Sequence, residues 1–382
     1  MKLTKIQELL CLVLSSDSEE NKKYKFIELY NQVNKNILYK EAKQDELFTH
    51  LSYLIQFYNI DENLIFKKAL DDIAKKMKIF LNELNNISEV FYKNNKPIIA
   101  LKNSGILLGI YKNIYCSPMG DLDLLINKSD FFIAHDLMTK DLGYVFKFRS
   151  KLETEDLQLA YEHGGAEYYK NVDDIIVWVE IQWRPVAGRW IQPKNEPDGT
   201  ELIKNSITIS NSKAKLLDPT DNLLQVCLHT AKHSYCRAPG FRLHSDVDRI
   251  VNYTDVNWDL FSQKVYKLNI KTAVYYSLFF SKQFLGTKIP ENILLKFKPG
   301  YIKNKMILFL IYKAGIFNQN KAKFSKYSYI IFNIFLFDSL TELFFAIFPK
   351  DIISDNSNNS RSNQFVFYFK RIINLISKRE NI

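Results

Sequence analysis

The sequence predicts a mixed α and β core, of α/β or α+β class, set between two helical regions. Three observations predict it. Residues 1 to about 92 carry apolar side chains at helical spacing, for example Phe48, Leu51, Leu54 and Ile55, then Ile65, Leu70, Ile73 and Met77. From Pro97 to about residue 205, short apolar runs alternate with helical stretches. Beyond about residue 215 helical spacing returns, and no internal repeat is found. The expected division is a helical region at 1–95, an α and β core at 96–205, and a second helical region at 206–382.

The elements follow in order. Pro97 stops the first helical pattern, and Ile98 to Leu101 read as a strand within 97–102. A helix is expected from Gly105 to Lys112, a strand at 121–126, a helix over 130–141 closed by Gly143, and a strand at 144–149. The stretch AEYYKNVDDIIVWVEIQWRP holds two alternating runs joined by Asn171 to Asp174, which reads as a hairpin. In LDPTDNLLQVCLHTAKH, Asp218 or Thr220 caps a helix running to about 234. A polar loop is expected at 354–363.

With 382 residues, 47% of them hydrophobic, the chain can bury a sizeable core. Cys11, Cys116, Cys227 and Cys236 are scattered without a CxxC pair, which excludes a disulfide framework and fits the reducing cytoplasm. The N-terminal apolar run is interrupted by Gln7 and Glu8 and lacks a small-residue cleavage site, so it reads as a helix and not as an export signal. Residues 328–348 have the length of a membrane span, but Asp338 and Glu342 sit one turn apart in the middle, which favours a buried or surface-lying helix. The formal charge of +10 is uneven, with nine lysines against one glutamate between 286 and 326. That excess is a solvated face or a contact for an anionic membrane or other partner.

Chemistry concentrates in GDLDLLI. On a strand, Asp121 and Asp123 share one face while Leu122 and Leu124 point into the core. Carboxylates so close repel, and hard divalent cations such as Mg²⁺ take this oxygen donor set. In VWVEIQWR, Glu180 lies on the row opposite Val179 and Ile181; if the two strands are neighbours, it completes a three-carboxylate cluster suited to two-metal phosphoryl chemistry. Upstream, a strand runs through Lys102-Asn103-Ser104-Gly105 into a helix, where free backbone N–H groups and an ammonium make a phosphate site.

Taken together, Lys102-Asn-Ser-Gly105, Gly120-Asp-Leu-Asp-Leu-Leu-Ile126 and Val179-Glu-Ile-Gln-Trp183 resemble the signature of the polymerase-β-type nucleotidyltransferases, and within them the uncharacterised nucleotidyltransferase branch. LHTAKH, FRLHSDVDRIV and AIFPKDI are similar to further elements of that branch. The resemblance implies an α+β fold with a mixed-sheet nucleotidyltransferase core and transfer of an NMP from an NTP such as ATP to an acceptor hydroxyl. It implies Asp121, Asp123 and Glu180 as catalytic metal ligands for Mg²⁺ or Mn²⁺. Lys102, Ser104, Gly105 and Gly120 would bind the nucleotide, through either Ser104 or the Gly105 amide at the turn. The acceptor would be a small molecule, sugar, peptide or protein, with nucleic acid not excluded. Two departures stand out: Gln182 replaces the histidine expected after the third acid, and YCSPMG lacks the arginine expected before the first.

Other features have plainer readings beside sharper ones. His229 and His233 share a helix face, with His244, Asp246 and Asp248 downstream; a metallohydrolase site is one reading, and packing or cleft contact is the other. His163, beside Gly164-Gly165, reads as a loop residue near the cleft. Trp178 and Trp183 lie on opposite strand faces; burial is the plain reading for both, and a place for one of them in the pocket is the sharper one. The rival to an enzyme is a degenerate nucleotidyltransferase fold that recruits a partner or anionic membrane.

Overall fold

A computed structural model of the chain describes residues 2–147, 157–184, 191, 197, 199–238, 240–320 and 322–347. The helical N-terminal region comprises α1 (Lys5–Leu14), α2 (Glu19–Gln32), α3 (Lys35–Gln44), α4 (Phe48–Phe57) and α5 (Leu64–Lys93). Local chemistry sets their starts: Thr4 and Gln7 form a capping box on α1, and Ser18, Asn34 and Asn63 cap α2, α3 and α5.

The core follows as β1 (Ile99–Ala100), α6 (Lys102–Gly105), β2 (Leu122–Leu125), α7 (Phe131–Asp136), β3 (Val145–Lys147), α8 (Leu157–His163), β4 (Gly165–Val172), β5 (Ile175–Gln182), α9 (Gly199–Lys204), β6 (Ile207–Ile209) and β7 (Ser212–Leu216). The seven strands form one mixed sheet in the order β3-β4-β5-β2-β1-β7-β6. The expected hairpin is β4–β5, turning through Asp173 and Asp174 at φ 49° and 63°, the left-handed pair of a tight two-residue turn. The helix expected from Gly105 starts at Lys102 and continues to Ile110 in wider turns, with the Tyr111 N–H bonded to the Ile106 carbonyl. β6 and β7 extend the sheet past residue 205, where the sequence pattern suggests only helices. β7 pairs parallel to β1, so the short SKAKL run is held by a neighbour distant in sequence.

Six buried residues of α5, Met77, Ile79, Phe80, Leu84, Ile87 and Phe91, and the strand side chains Leu122, Leu124, Val179 and Ile181 share one apolar core with α7. The other sheet face, represented by Ile99, Leu101 and Leu125, joins a second core built from both helical regions. Those later helices are α10 (Pro219–His233), α11 (His244–Tyr253), α12 (Trp258–Lys267), α13 (Lys271–Leu285), α14 (Glu291–Phe297), α15 (Tyr301–Ala314), α16 (Lys326–Leu336) and α17 (Leu340–Ile347). Asp218 caps α10, as its sequence suggests. Among the described residues no helix is long and apolar enough to cross a membrane. The apolar stretch at 328–348 breaks between α16 and α17. There Asp338 accepts from the Thr272 N–H and hydroxyl, and Glu342 accepts from Asn269 at 2.8 Å. The four cysteines are buried free thiols. The polar loop at 354–363, the AIFPKDI element from Phe348 onward and the end of the strand expected at 144–149 lie outside the described residues.

Candidate active site

Strand alternation builds the floor of the site. Leu122 and Leu124 are fully buried toward α5, which leaves Asp123 on the face toward α10. β2 and β5 run parallel with Asp123 opposite Glu180, and Asp121 stands exposed just before β2. Carboxylate oxygens of Asp121, Asp123 and Glu180 lie within 4.8 Å of one another. Lys102 answers their repulsion, its Nζ 2.5 Å from Asp123 Oδ1 and 3.6 Å from Glu180 Oε2. Burial pushes the Asp123 carboxyl well above its usual range against the pull of Lys102, and the Asp121 and Glu180 charges push the same way. Glu180 is also penalised by burial, yet Lys102 and a hydrogen bond from Asp123 hold it below the usual range. For Lys102, burial disfavours the ammonium, but Asp123 and Glu180 outweigh it and raise its pKa. One ammonium therefore faces three acids. An all-oxygen donor set needing more positive charge than it has fits a hard divalent cation.

Backbone geometry aims these groups. Lys102 has φ 50°, a left-handed conformation that costs a residue with a side chain about 1–2 kcal/mol. The Asp123 N–H donates to Ser104 Oγ at 3.1 Å, its carbonyl accepts the Leu101 N–H at 2.9 Å, and Gln182 Nε2 donates to Asp123 Oδ1 at 3.3 Å. Gly105 is required by close approach: a Cβ there would lie 2.5 Å from the Ala100 carbonyl oxygen. Its N–H is bonded to the Leu101 carbonyl at 3.2 Å. Ser104 and Gly105 are buried beneath the cleft, the Ser104 hydroxyl holding β2 through the Asp123 N–H, while Lys102 and Gly120 line it.

Above the floor opens a cleft of about 1070 Å³. One wall is the face of α10 carrying Gln225, Leu228, His229 and Lys232, spaced three and four apart. Gln225 is 2% exposed, and neither of its amide atoms has a hydrogen-bond partner; His229 Nδ1 is likewise buried and unpartnered. Burial holds the His229 imidazole well below its usual pKa, and Lys102, His233 and Lys232 add to the effect. Across the cleft stand Lys43, Glu46 and Phe48 near the α3–α4 turn, with Ile73 and Lys76 from α5. Burial lowers the Lys76 pKa, and Asp121 pulls it back up.

The loop YCSPM carries no arginine, and two arrive from residues around α11. Buried Arg249 donates to the Cys116 carbonyl and lies 4.9 Å from the Tyr111 ring. Arg242 lines the cleft, with Nη2 3.2 Å from Glu46. With the Asn103 amide turned so that its nitrogen faces Asp246 Oδ1 at 3.1 Å, its oxygen accepts from Arg242 Nη1 at 3.1 Å. The sequence reading missed Gln225, Lys43, Lys76 and Arg242. Only Gln225 carried a signal, as a polar member of the face that also bears His229.

The histidine and acid cluster dissolves into separate roles. His244 is fully buried and bonded to the Phe241 carbonyl at 3.0 Å, and Asp248 accepts the Ser16 N–H at 2.7 Å. His229 and His233 line the cleft. Among the described residues the acidic triad is the one group placed to share a metal, so the metallohydrolase reading is set aside. His163 ends α8 beside the cleft glycines, and its side chain lies outside the described residues. Trp183 is core, 4.6 Å from Phe131; Trp178 packs on Tyr169 at 5.2 Å and is not part of the cleft lining, so the sharper reading of a tryptophan in the pocket is set aside.

The model of the family described as uncharacterised nucleotidyltransferase matches residues 31–286, well over half of the chain. The chain belongs to the uncharacterised nucleotidyltransferase family. No curated protein and no solved structure matches it. The matched segment runs from the end of α2 to the end of α13 and includes the acidic triad, Lys102 and both cleft walls. The α+β class and the mixed sheet expected from the sequence agree with this membership.

Proposed function

We propose that this nucleotidyltransferase moves a nucleoside monophosphate from an NTP, ATP among them, onto an acceptor hydroxyl. The observation that carries the reading is the parallel pairing of Asp123 with Glu180, which gathers three carboxylates beside a lysine at the bottom of a cleft. Asp121, Asp123 and Glu180 would hold Mg²⁺ or Mn²⁺, which supplies charge stabilisation for in-line phosphoryl transfer when bound. Lys102 would pass from Asp123 to the triphosphate, and the Gly120 amide would face the same group from the rim. Glu180, kept ionised by Lys102, takes the proton of the acceptor hydroxyl. The hydroxyl oxygen attacks the α-phosphorus, the bond to the bridging oxygen breaks, and pyrophosphate leaves. Four buried free thiols support a reducing compartment, the cytoplasm, as its location.

The test is a thermal-shift screen of ATP, CTP, GTP and UTP with Mg²⁺ on the wild type and on Asp121→Asn. A shift of several degrees with at least one NTP, present only in the wild type, is expected. Equal shifts in both proteins, or none in either, would remove the metal-nucleotide reading.

A further inference from the structure

The C-terminal helices display a face that the cleft does not use. α15 is apolar on both sides: Ile307, Leu310, Ile311 and Ala314 are buried, while Tyr301, Ile302 and Phe309 are 72%, 78% and 59% exposed. Residues on a helix advance by about 100°, so Tyr301, Ile302, Met306, Phe309 and Tyr312 fall on one outer arc of about 140°. Lys305 and Lys313 lie within that arc, the first 4.4 Å from the Tyr301 ring. On neighbouring α16, Tyr327, Ile331 and Ile334 form a second exposed stripe, spaced four and three apart. A helix apolar all round is ordinarily covered, and contiguous exposed apolar surface marks a contact site.

Charge identifies the occupant. Neither α15 nor α16 contains an aspartate or glutamate, and Lys305 and Lys313 stand exposed among the aromatics of the outer arc. A second copy of this chain would oppose the same lysines across a twofold axis, which disfavours self-association. A surface that is anionic and apolar beneath satisfies both the lysines and the aromatics. At 14 residues, or about 21 Å, α15 is too short to cross a bilayer core and suits lying along it.

We propose that the outer face of α15, with Tyr327 and Ile331 of α16 at its edge, docks on an anionic lipid surface. The full chain is floated with vesicles of phosphatidylcholine alone and of phosphatidylcholine mixed with phosphatidylglycerol. Binding is expected only to the mixed vesicles, weakening as salt is raised. Phe309→Asp and the pair Lys305→Glu with Lys313→Glu are each expected to weaken it roughly tenfold or more. Failure to bind either vesicle, or binding unchanged by both variants, would overturn the proposal. So would concentration-dependent dimerisation that Phe309→Asp abolishes, because the face would then belong to a second copy. The variants should keep the wild-type melting temperature; a fall of several degrees in Phe309→Asp would show that the protein itself covers the face, and would equally overturn it.

Discussion

The floor and the α10 wall of the cleft are built on opposite terms. On the floor the two buried carboxylates face compensating groups: Lys102, Ser104 and Gln182 converge on Asp123, and Glu180 shares the same ammonium. On the wall Gln225 and one nitrogen of His229 are buried with nothing to bond. Buried polar groups without partners each cost about 1–3 kcal/mol, so the wall is less stable as it stands than an apolar one would be. The difference separates a part whose buried groups are matched from a part whose buried amide and imidazole nitrogen are not.

The strongest way to break the comparison is at the floor. Asp123→Asn should lower pyrophosphate release by roughly 10³-fold or more, because the triad acts as a unit. The fold should survive, since the change removes a buried charge; near-normal turnover with unchanged melting would show that the floor is not the reacting centre.

An intermediate effect separates the two parts by the sign of their pH dependence. The Asp123 carboxyl is raised by burial, so its contribution to stability is full below its unfolded value of about 4 and is lost as pH rises through its higher folded value. Glu180, held down, offsets part of that loss. His229 is lowered by burial, so its contribution is present above about 6.5 and is lost as pH falls below that value. Urea unfolding across pH should therefore show Asp123→Asn flattening the alkaline loss and His229→Gln flattening the acid one. Added Mg²⁺ should stabilise the wild type more at higher pH. The same slope in both variants would erase the distinction.

The smallest expected effect sharpens the reading of the wall. Gln225→Leu replaces two unpartnered groups by methyls and should raise unfolding stability by about 1–2 kcal/mol in the absence of substrates. A loss of stability would mean that the amide is satisfied in solution, and the contrast would fail at that residue.

Legibility in the sequence follows the same boundary. The floor was readable because strand alternation is local: GDLDLLI and VWVEIQW state which side chains share a face, and pairing β2 with β5 needed only the assumption that they are neighbours. Ser104 and Gly105 are legible only as a turn, because composition shows that a helix can start there but not which of its groups are already spent. In this chain the Ser104 hydroxyl accepts the Asp123 N–H of β2, and the Gly105 N–H is bonded to the Leu101 carbonyl. β6 and β7 were not seen, since three- and five-residue strands carry too little pattern and depend on β1 for pairing. Arg242, Lys43 and Lys76 come from separate helices, and only tertiary docking brings them to one cleft.

The contact between Gly105 and the Ala100 carbonyl has a mechanical consequence. It acts as a stop that sets how far the turn can seat against the sheet. Lys102 and Ser104 ride on that turn, so the ammonium and the hydroxyl inherit its position. The alignment tolerance of the carboxylates is thus set by a residue that touches none of them, where a single added methyl would work as a wedge.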